Sequence, residues 1–151
     1  MATFKNPDNA RRDLSVLAQG VVGYNRFTFD LSASYATGAG ADESLIEIGF
    51  VPPDCKLIPY LSRLSIPQLD SNGGPTGDYE VGITGSTAAL KAAAAAETAV
   101  VLSGEDFIDA DIGSQTAAVP VYLRVSNVIA TLGTGTITFD VAYRAWNSDL
   151  D

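Results

Sequence analysis

The sequence has no histidine among its 151 residues, only one cysteine and one tryptophan, and half as many basic as acidic residues. Histidine is the commonest metal ligand and the only side chain whose ordinary pKa lies near neutral pH. Its absence therefore excludes His-dependent triads, zinc-protease motifs and His-ligated metal sites for this chain alone. Nine Lys and Arg against eighteen Asp and Glu give a net charge of −9. Because nucleic-acid affinity depends on clustered basic side chains, we expect no nucleic-acid partner.

The lone cysteine, Cys55, cannot form an internal disulfide, and without histidine it lacks the usual base that would activate it as a nucleophile. We therefore expect Cys55 to be a buried or half-buried packing residue.

The N-terminus has no apolar segment typical of a signal peptide. The apolar stretch 88–102 is too short to span a membrane and contains Lys91 and Glu97. These features predict a soluble chain, made in a cytoplasm, with no membrane partner.

Alternation of apolar and polar residues is the main pattern along the chain. In the segment 24–35, Phe27, Phe29 and Leu31 share one face of a strand, while Arg26 and Thr28 lie on the other. The same period of two, or a weaker form of it, recurs in further segments: 15–19, 44–50, 58–66, 78–83, 98–103, 119–126 and 136–145. Turn clusters rich in Gly, Asp and Ser separate these segments, and no strand-helix-strand rhythm is present.

About eight short strands predict an all-β fold, an antiparallel two-sheet β-sandwich of the jelly-roll kind. A hydrophobic fraction of 46% and a charged fraction of 18% suit one packed domain of this length. We assign residues 1–20 to a polar N-terminal arm and residues 21–151 to the sandwich domain. Only the Ala-rich segment 86–97 favours a helix, with Ser86 as its N-cap. So short a helix is marginal in water, so the alternatives of helix and loop stay open.

The densest acidic cluster is Glu105, Asp106, Asp109 and Asp111. Alternating carboxylates can bind a hard cation, but this spacing differs from that of an EF-hand loop, so we interpret the cluster as a solvated loop. The glycine pairs at 38–40 and 133–135 lack the lysine and the following helix of a phosphate-binding loop, and they are typical of hairpin turns. No carboxylate pair indicates a glycoside hydrolase. We expect no catalytic residue, no metal, no cofactor and no enzyme activity.

Aromatic and basic residues on polar strand faces indicate a binding surface instead. Tyr, Trp and Arg are the residue types enriched at the centres of protein interfaces. Trp146 continues the polar face of the last strand, and it is either covered by the N-terminal arm or buried by a partner. The basic arm is either a mobile terminus or an anchor on an acidic neighbour. The candidate partner-binding residues are Phe4, Lys5, Arg11, Arg12, Tyr122, Arg124, Arg144 and Trp146.

Several motifs occur in a characteristic order. An apolar run at 45–51 leads into Pro52-Pro-Asp-Cys55 and a second apolar run to residue 58. A Gly-Asp-Tyr turn follows at 77–79, then an Ala-rich middle section and two closing strands at 120–125 and 135–143. In this order the segment 27–143 resembles the head decoration, or cement, proteins of tailed bacteriophages.

This resemblance implies a jelly-roll or related sandwich that assembles as a homotrimer on the outer capsid surface. It further implies that the chain bridges neighbouring capsomers of the major capsid protein, in a virion assembled after synthesis in the host cytoplasm. No catalytic residue carries over from such a family. The alternative is a carbohydrate- or receptor-binding module of a phage tail or surface protein. Such modules usually display two or three exposed aromatic rings, and the sequence predicts one, Trp146.

Overall fold

A computed structural model describes residues 2–5, 22–31, 44–69, 77–126 and 134–145 of the chain. Within these ranges the backbone forms eleven strands and two 3-10 turns, at Pro59–Leu61 and Gly104–Asp106. The strands are β1 (Ala2–Lys5), β2 (Val22–Leu31), β3 (Ser44–Val51), β4 (Cys55–Leu57), β5 (Arg63–Ile66), β6 (Asp78–Ile83), β7 (Ser86–Ala95), β8 (Val100–Ser103), β9 (Gly113–Ser114), β10 (Val119–Ser126) and β11 (Gly135–Ala145). No helix in these ranges is long and apolar enough to cross a membrane.

The strands form two sheets. Sheet A has the order β1-β3-β10-β6-β7. In sheet B, the long strand β11 pairs with β2 on one side and with β5 and β4 on the other, and β8 and β9 flank β5 and β4 respectively. Every described pair is antiparallel except the pair of β1 with β3. The predicted two-sheet β-sandwich is confirmed.

The apolar faces of the two sheets enclose one core. Phe27, Phe29 and Leu31 of β2 are buried, and the polar residues between them are exposed, as the alternation predicts. The rings of Phe27 in sheet B and Phe50 in sheet A lie 4.9 Å apart between centroids, tilted by 54°, which is a favourable geometry for an aromatic pair. This contact joins the two sheets near the centre of the core.

Gly49 allows this close approach of the sheets. A Cβ atom at Gly49 would lie 2.7 Å from Cδ2 of Phe27 and 3.2 Å from Cδ1 of Phe139. Simple alternation predicts Gly49 on the polar face of β3, and this prediction is wrong. The register with β10 shifts by one residue at Ile48, and this bulge brings Gly49 to the core side.

The Ala-rich segment is strand β7, so the expectation of a helix or a loop at 86–97 is wrong. Ser86 pairs with Ile83 of β6, across a two-residue turn in which Gly85 has φ +82°. A short Ala-rich helix gains little by itself, whereas the edge of β6 offers backbone partners and the core accepts Leu90. Tertiary pairing therefore outweighs intrinsic helix propensity here.

The start of the expected irregular arm is also a strand, because Ala2–Lys5 pairs in parallel with β3. The rest of that arm, including the strand predicted at 15–19, lies outside the described residues.

Pro59 begins a 3-10 turn between β4 and β5. Proline has no N–H to donate to a neighbouring strand. The turn Pro59–Leu61 therefore separates β4 from β5, and both of these strands pair with β11. The backbone N–H of Ile58 donates to the carbonyl of Ala142 at 2.8 Å, and the N–H of Ala142 donates to Oγ of Ser62 at 3.0 Å. The buried Ser62 hydroxyl therefore replaces a backbone acceptor and keeps β11 paired.

Candidate interaction surfaces

The predicted partner-binding residues lie on opposite sides of the sandwich. Tyr122 and Arg124 alternate along β10 with core residues, so they belong to the outer face of sheet A. Arg144 follows the core residue Tyr143 on β11 and belongs to the outer face of sheet B. The structure therefore does not bring these three residues together. Three further candidates, Arg11, Arg12 and Trp146, lie outside the described residues.

Strand β3 links the N-terminal candidates to β10. Lys5 of β1 is aligned with Glu47 of β3, and Glu47 is aligned with Tyr122 of β10. Phe4 occupies the neighbouring register position beside Ile46. The structure thus brings the backbone of Phe4 and Lys5 within two strands of Tyr122.

The outer face of sheet A is held by buried or half-buried polar contacts. Nη1 of Arg124 donates to Oε2 of Glu80 at 2.9 Å, and the hydroxyl of Thr87 donates to the same oxygen at 2.8 Å. These two hydrogen bonds lower the pKa of Glu80 below its usual value, and the bond from Thr87 has the larger effect. Tyr122 and Glu47 are only 8% and 7% exposed. In this conformation Tyr122 offers a partner little ring area, and Arg124 joins β10 to β6.

Sheet B has a different outer face, which carries most of the described basic side chains. Its strands align Val22 with Arg144 and then Lys56 in one row. Another row contains Arg26, Asp140, Arg63 and Ser103, from β2 through β11 and β5 to β8. We call this surface the sheet B outer face, and it comprises Val22, Tyr24, Arg26, Thr28, Asp30, Lys56, Arg63, Ser65, Val101, Ser103, Thr136, Thr138, Asp140, Ala142 and Arg144.

Two arginines flank one carboxylate on this face. Arg26 donates from Nε to Oδ1 of Asp140 at 2.6 Å and from Nη2 to Oδ2 at 2.9 Å, while its own side chain is 65% exposed. Arg63 lies on the other side of Asp140, is exposed, and has no ion-pair partner among the described residues. Lys56 Nζ lies 3.5 Å from Oδ1 of Asp111. The exposed guanidinium of Arg63 is therefore available to an external acceptor.

Large exposed apolar side chains are concentrated at the same sheet. Val22, Tyr24 and Val101 project from the sheet B outer face and are 38%, 60% and 46% exposed. Tyr60 and Leu61, in the turn between β4 and β5, are 67% and 44% exposed. Alternation with Ile58 and Leu64 predicts Tyr60 on the core face, which is wrong because the 3-10 turn interrupts the alternation.

The other candidates for chemistry are the acidic cluster at 105–111 and Cys55. Asp106 accepts a hydrogen bond from the backbone N–H of Ser103 at 3.0 Å and caps the turn Gly104–Asp106. Across the described part of the chain, no group of three or more Cys, Asp or Glu side chains is arranged to hold a metal ion. Cys55 is buried, as predicted, and burial, followed by the charge of Asp54, raises its thiol pKa. A raised pKa leaves less of the reactive thiolate at neutral pH.

No protein-family model matches the chain, and no curated protein matches it. Among solved structures, it is similar to a chain of the capsid of Ralstonia phage GP4, with 19% identity and a TM-score of 0.61 over 97% of this chain and 99% of that one. It is also similar to a chain of the Cyanophage Pam1 capsid asymmetric unit, with 19% identity and a TM-score of 0.54 over 90% of this chain and 95% of that one. At this level of identity, the likeness establishes a shared fold.

Proposed function

We propose that this chain is a structural virion protein that binds the outer surface of a phage capsid as a decoration, or cement, protein. The observation that carries the proposal is the fold shared with chains from two phage capsids. The similarity covers 99% and 95% of those chains, so it extends over nearly their whole length. A β-sandwich embedded in a much larger protein would be covered only in part.

The outer faces of the sandwich support a role in binding rather than in chemistry. The exposed residues of sheet B include Tyr24, Arg26 and Arg63, which are of the types that dominate protein interfaces. Cys55, a potential nucleophile, is buried with a raised pKa. A protein that acts by contact needs such extended surfaces, and its partner here is the major capsid protein.

We further propose that the chain acts as a homotrimer, with its N-terminal arm contributing to attachment and contacts that stabilise neighbouring capsomers. Linked copies multiply weak contacts into strong overall binding, because each further site engages at a high effective concentration. A closed trimer also matches a repeated local symmetry of a shell. The start of this arm, Ala2–Lys5, is strand β1 at the edge of sheet A.

One observation favours the alternative of a carbohydrate- or receptor-binding module. Tyr24 and Tyr60 are 60% and 67% exposed, and exposed aromatic rings are suited to stacking on sugars. The sequence alone predicts a single exposed aromatic, so the structure makes this alternative worth testing alongside the first.

Co-sedimentation of the purified chain with capsids from which it has been removed tests the proposal. We expect saturable binding at a fixed copy number, and light scattering of the free chain at a mass close to three chains. A monomer that does not bind capsids would overturn the capsid role. A glycan array would then test the alternative.

A further inference from the structure

We propose that the sheet B outer face is the surface that docks on the capsid, and that its occupant is a carboxylate-bearing patch of the capsid shell. This inference rests on the proposed function and specifies which side of the sandwich makes the contact. It also specifies the chemistry of the partner, which is acidic at the centre and apolar around it.

Charge distinguishes this face from the rest of the chain. Its strands carry four basic residues, Arg26, Lys56, Arg63 and Arg144, against two acidic ones, Asp30 and Asp140. A third carboxylate, that of Asp111, contacts Lys56, whose side chain is only 15% exposed. The chain as a whole has a net charge of −9. When an acidic protein has a locally basic face, an acidic partner surface attracts that face and repels the rest of the protein.

Arg63 is the central contact of the proposed surface. Both carboxylate oxygens of Asp140 already accept hydrogen bonds from Arg26. Arg63 is aligned with Asp140 from the other side, is exposed, and has no ion-pair partner among the described residues. Its planar guanidinium can therefore donate two parallel hydrogen bonds to a carboxylate of the partner.

Apolar groups border this charge. Tyr24 of β2 is aligned with Ala142 of β11 and is 60% exposed. Val101 lies two strands from Thr138, at the opposite margin of the sheet, and is 46% exposed. A contact that covers both side chains removes apolar area from water and excludes water from the charged centre.

The outer face of sheet A is less suited to the same contact. Its arginine, Arg124, is held by Glu80 at 2.9 Å, and the Arg124 and Glu80 side chains are only 23% and 18% exposed. Tyr122 and Glu47 are almost fully buried. Docking there would require these contacts to be broken first.

Charge reversal at Arg63 tests the inference. We expect Arg63→Glu and Arg63→Ala to weaken binding to stripped capsids by about tenfold or more, with Arg63→Lys between them and the wild type. The matched control is Lys91→Glu on β7 of sheet A. It makes the same change in charge as Arg63→Glu, and it should alter binding by less than about twofold. Thermal unfolding and light scattering of each variant establish that the fold and the assembly state are unchanged.

Two further readouts separate the possible failures. Wild-type binding should weaken as salt rises from about 0.05 to about 0.5 M, because contacts between charges are screened. If the wild type fails to bind, the proposed capsid role is overturned. If it binds but both charge-removing Arg63 variants bind equally well, only the docking surface is overturned. If Tyr24→Ala is the only variant that loses binding, and wild-type binding does not depend on salt, the proposal of an acidic partner is overturned. That result would indicate a ligand that stacks on the Tyr24 ring.

Discussion

Arg124 of β10 and Glu80 of β6 form a half-buried ion pair, with 2.9 Å between Nη1 and Oε2. The hydroxyl of Thr87 donates to the same carboxylate oxygen, so three neighbouring strands of sheet A meet at this one atom. The pair lies on the face of the sheet away from the core. It therefore stabilises strand pairing without contributing to the hydrophobic core.

Glu80→Gln should lower the free energy of unfolding at neutral pH by about 1–2 kcal/mol, because Arg124 loses its charged acceptor. The native state lowers the pKa of Glu80 below its usual value of 4.5. Its stabilisation is therefore complete above the unfolded-state pKa and is lost as pH falls through the lower, native-state value. Urea unfolding at several pH values should show less acid-induced loss of stability in Glu80→Gln than in the wild type.

The exposed pair of Arg26 and Asp140 is the natural control for this experiment. Asp140→Asn should destabilise the fold less than Glu80→Gln does, because Arg26 is 65% exposed and solvent screens the pair. Equal losses in Asp140→Asn and Glu80→Gln would contradict the importance of the half-buried pair.

Gly49→Ala should destabilise the fold by about 1–3 kcal/mol, because the added Cβ would lie 2.7 Å from the Phe27 ring. Gly85 provides the comparison, since a Cβ there meets nothing within 4 Å and only its φ of +82° is unfavourable for alanine. Gly85→Ala should cost about 1–2 kcal/mol from this backbone strain alone. Thermal or urea unfolding of both variants measures the two effects.

Gly82→Ala should be the more damaging change in sheet A. A Cβ at Gly82 would lie 2.6 Å from the backbone carbonyl of Thr87, and backbone cannot rotate away as a side chain can. We expect a larger loss of stability than in Gly49→Ala, together with weakened pairing of β6 and β7. Amide hydrogen exchange in β7 should accelerate, and unchanged protection there would contradict the close approach of the two strands.

Cys55 should react slowly with thiol reagents in the native protein at neutral pH, because its side chain is buried and its pKa is raised. In urea the same thiol should react at the rate of an exposed cysteine. Rapid labelling of the native chain, at a rate that urea does not increase, would show that the core does not bury this side chain.

Deletion of residues 1–13 should leave the sandwich folded while weakening capsid attachment. Strand β1 is at the edge of sheet A and pairs only with β3 among the described strands, so its loss removes one ladder and no central strand. Circular dichroism and co-sedimentation of the truncated chain measure the two properties separately. A truncated chain that no longer folds would show that β1 is an essential part of the sheet.

The sequence predicted those elements in which alternation runs unbroken. Phe27 and Phe29 on β2, and Ile137 and Phe139 on β11, each repeat at every second residue, so both the strands and their inward faces were predictable. Strand β7 was not, because a run of alanines has no apolar period and favours a helix in isolation. Its conformation is decided by pairing with β6, which no local pattern contains.

The candidate surface was predictable only in part. Alternation assigns Arg26, Arg63 and Arg144 to the polar faces of their strands, and the structure confirms that assignment. Arg26 and Arg63 are both aligned with Asp140 because β11 lies between β2 and β5. One sequence does not contain that order of strands, because register between distant segments is set by the whole core.

Electron cryomicroscopy of stripped capsids, before and after addition of the purified chain, tests whether the chain attaches to the outer capsid surface. We expect added density at symmetry-related positions on the outer surface, with the strands of sheet B nearest the shell. No added density, or density confined to the capsid interior, would contradict the proposed function.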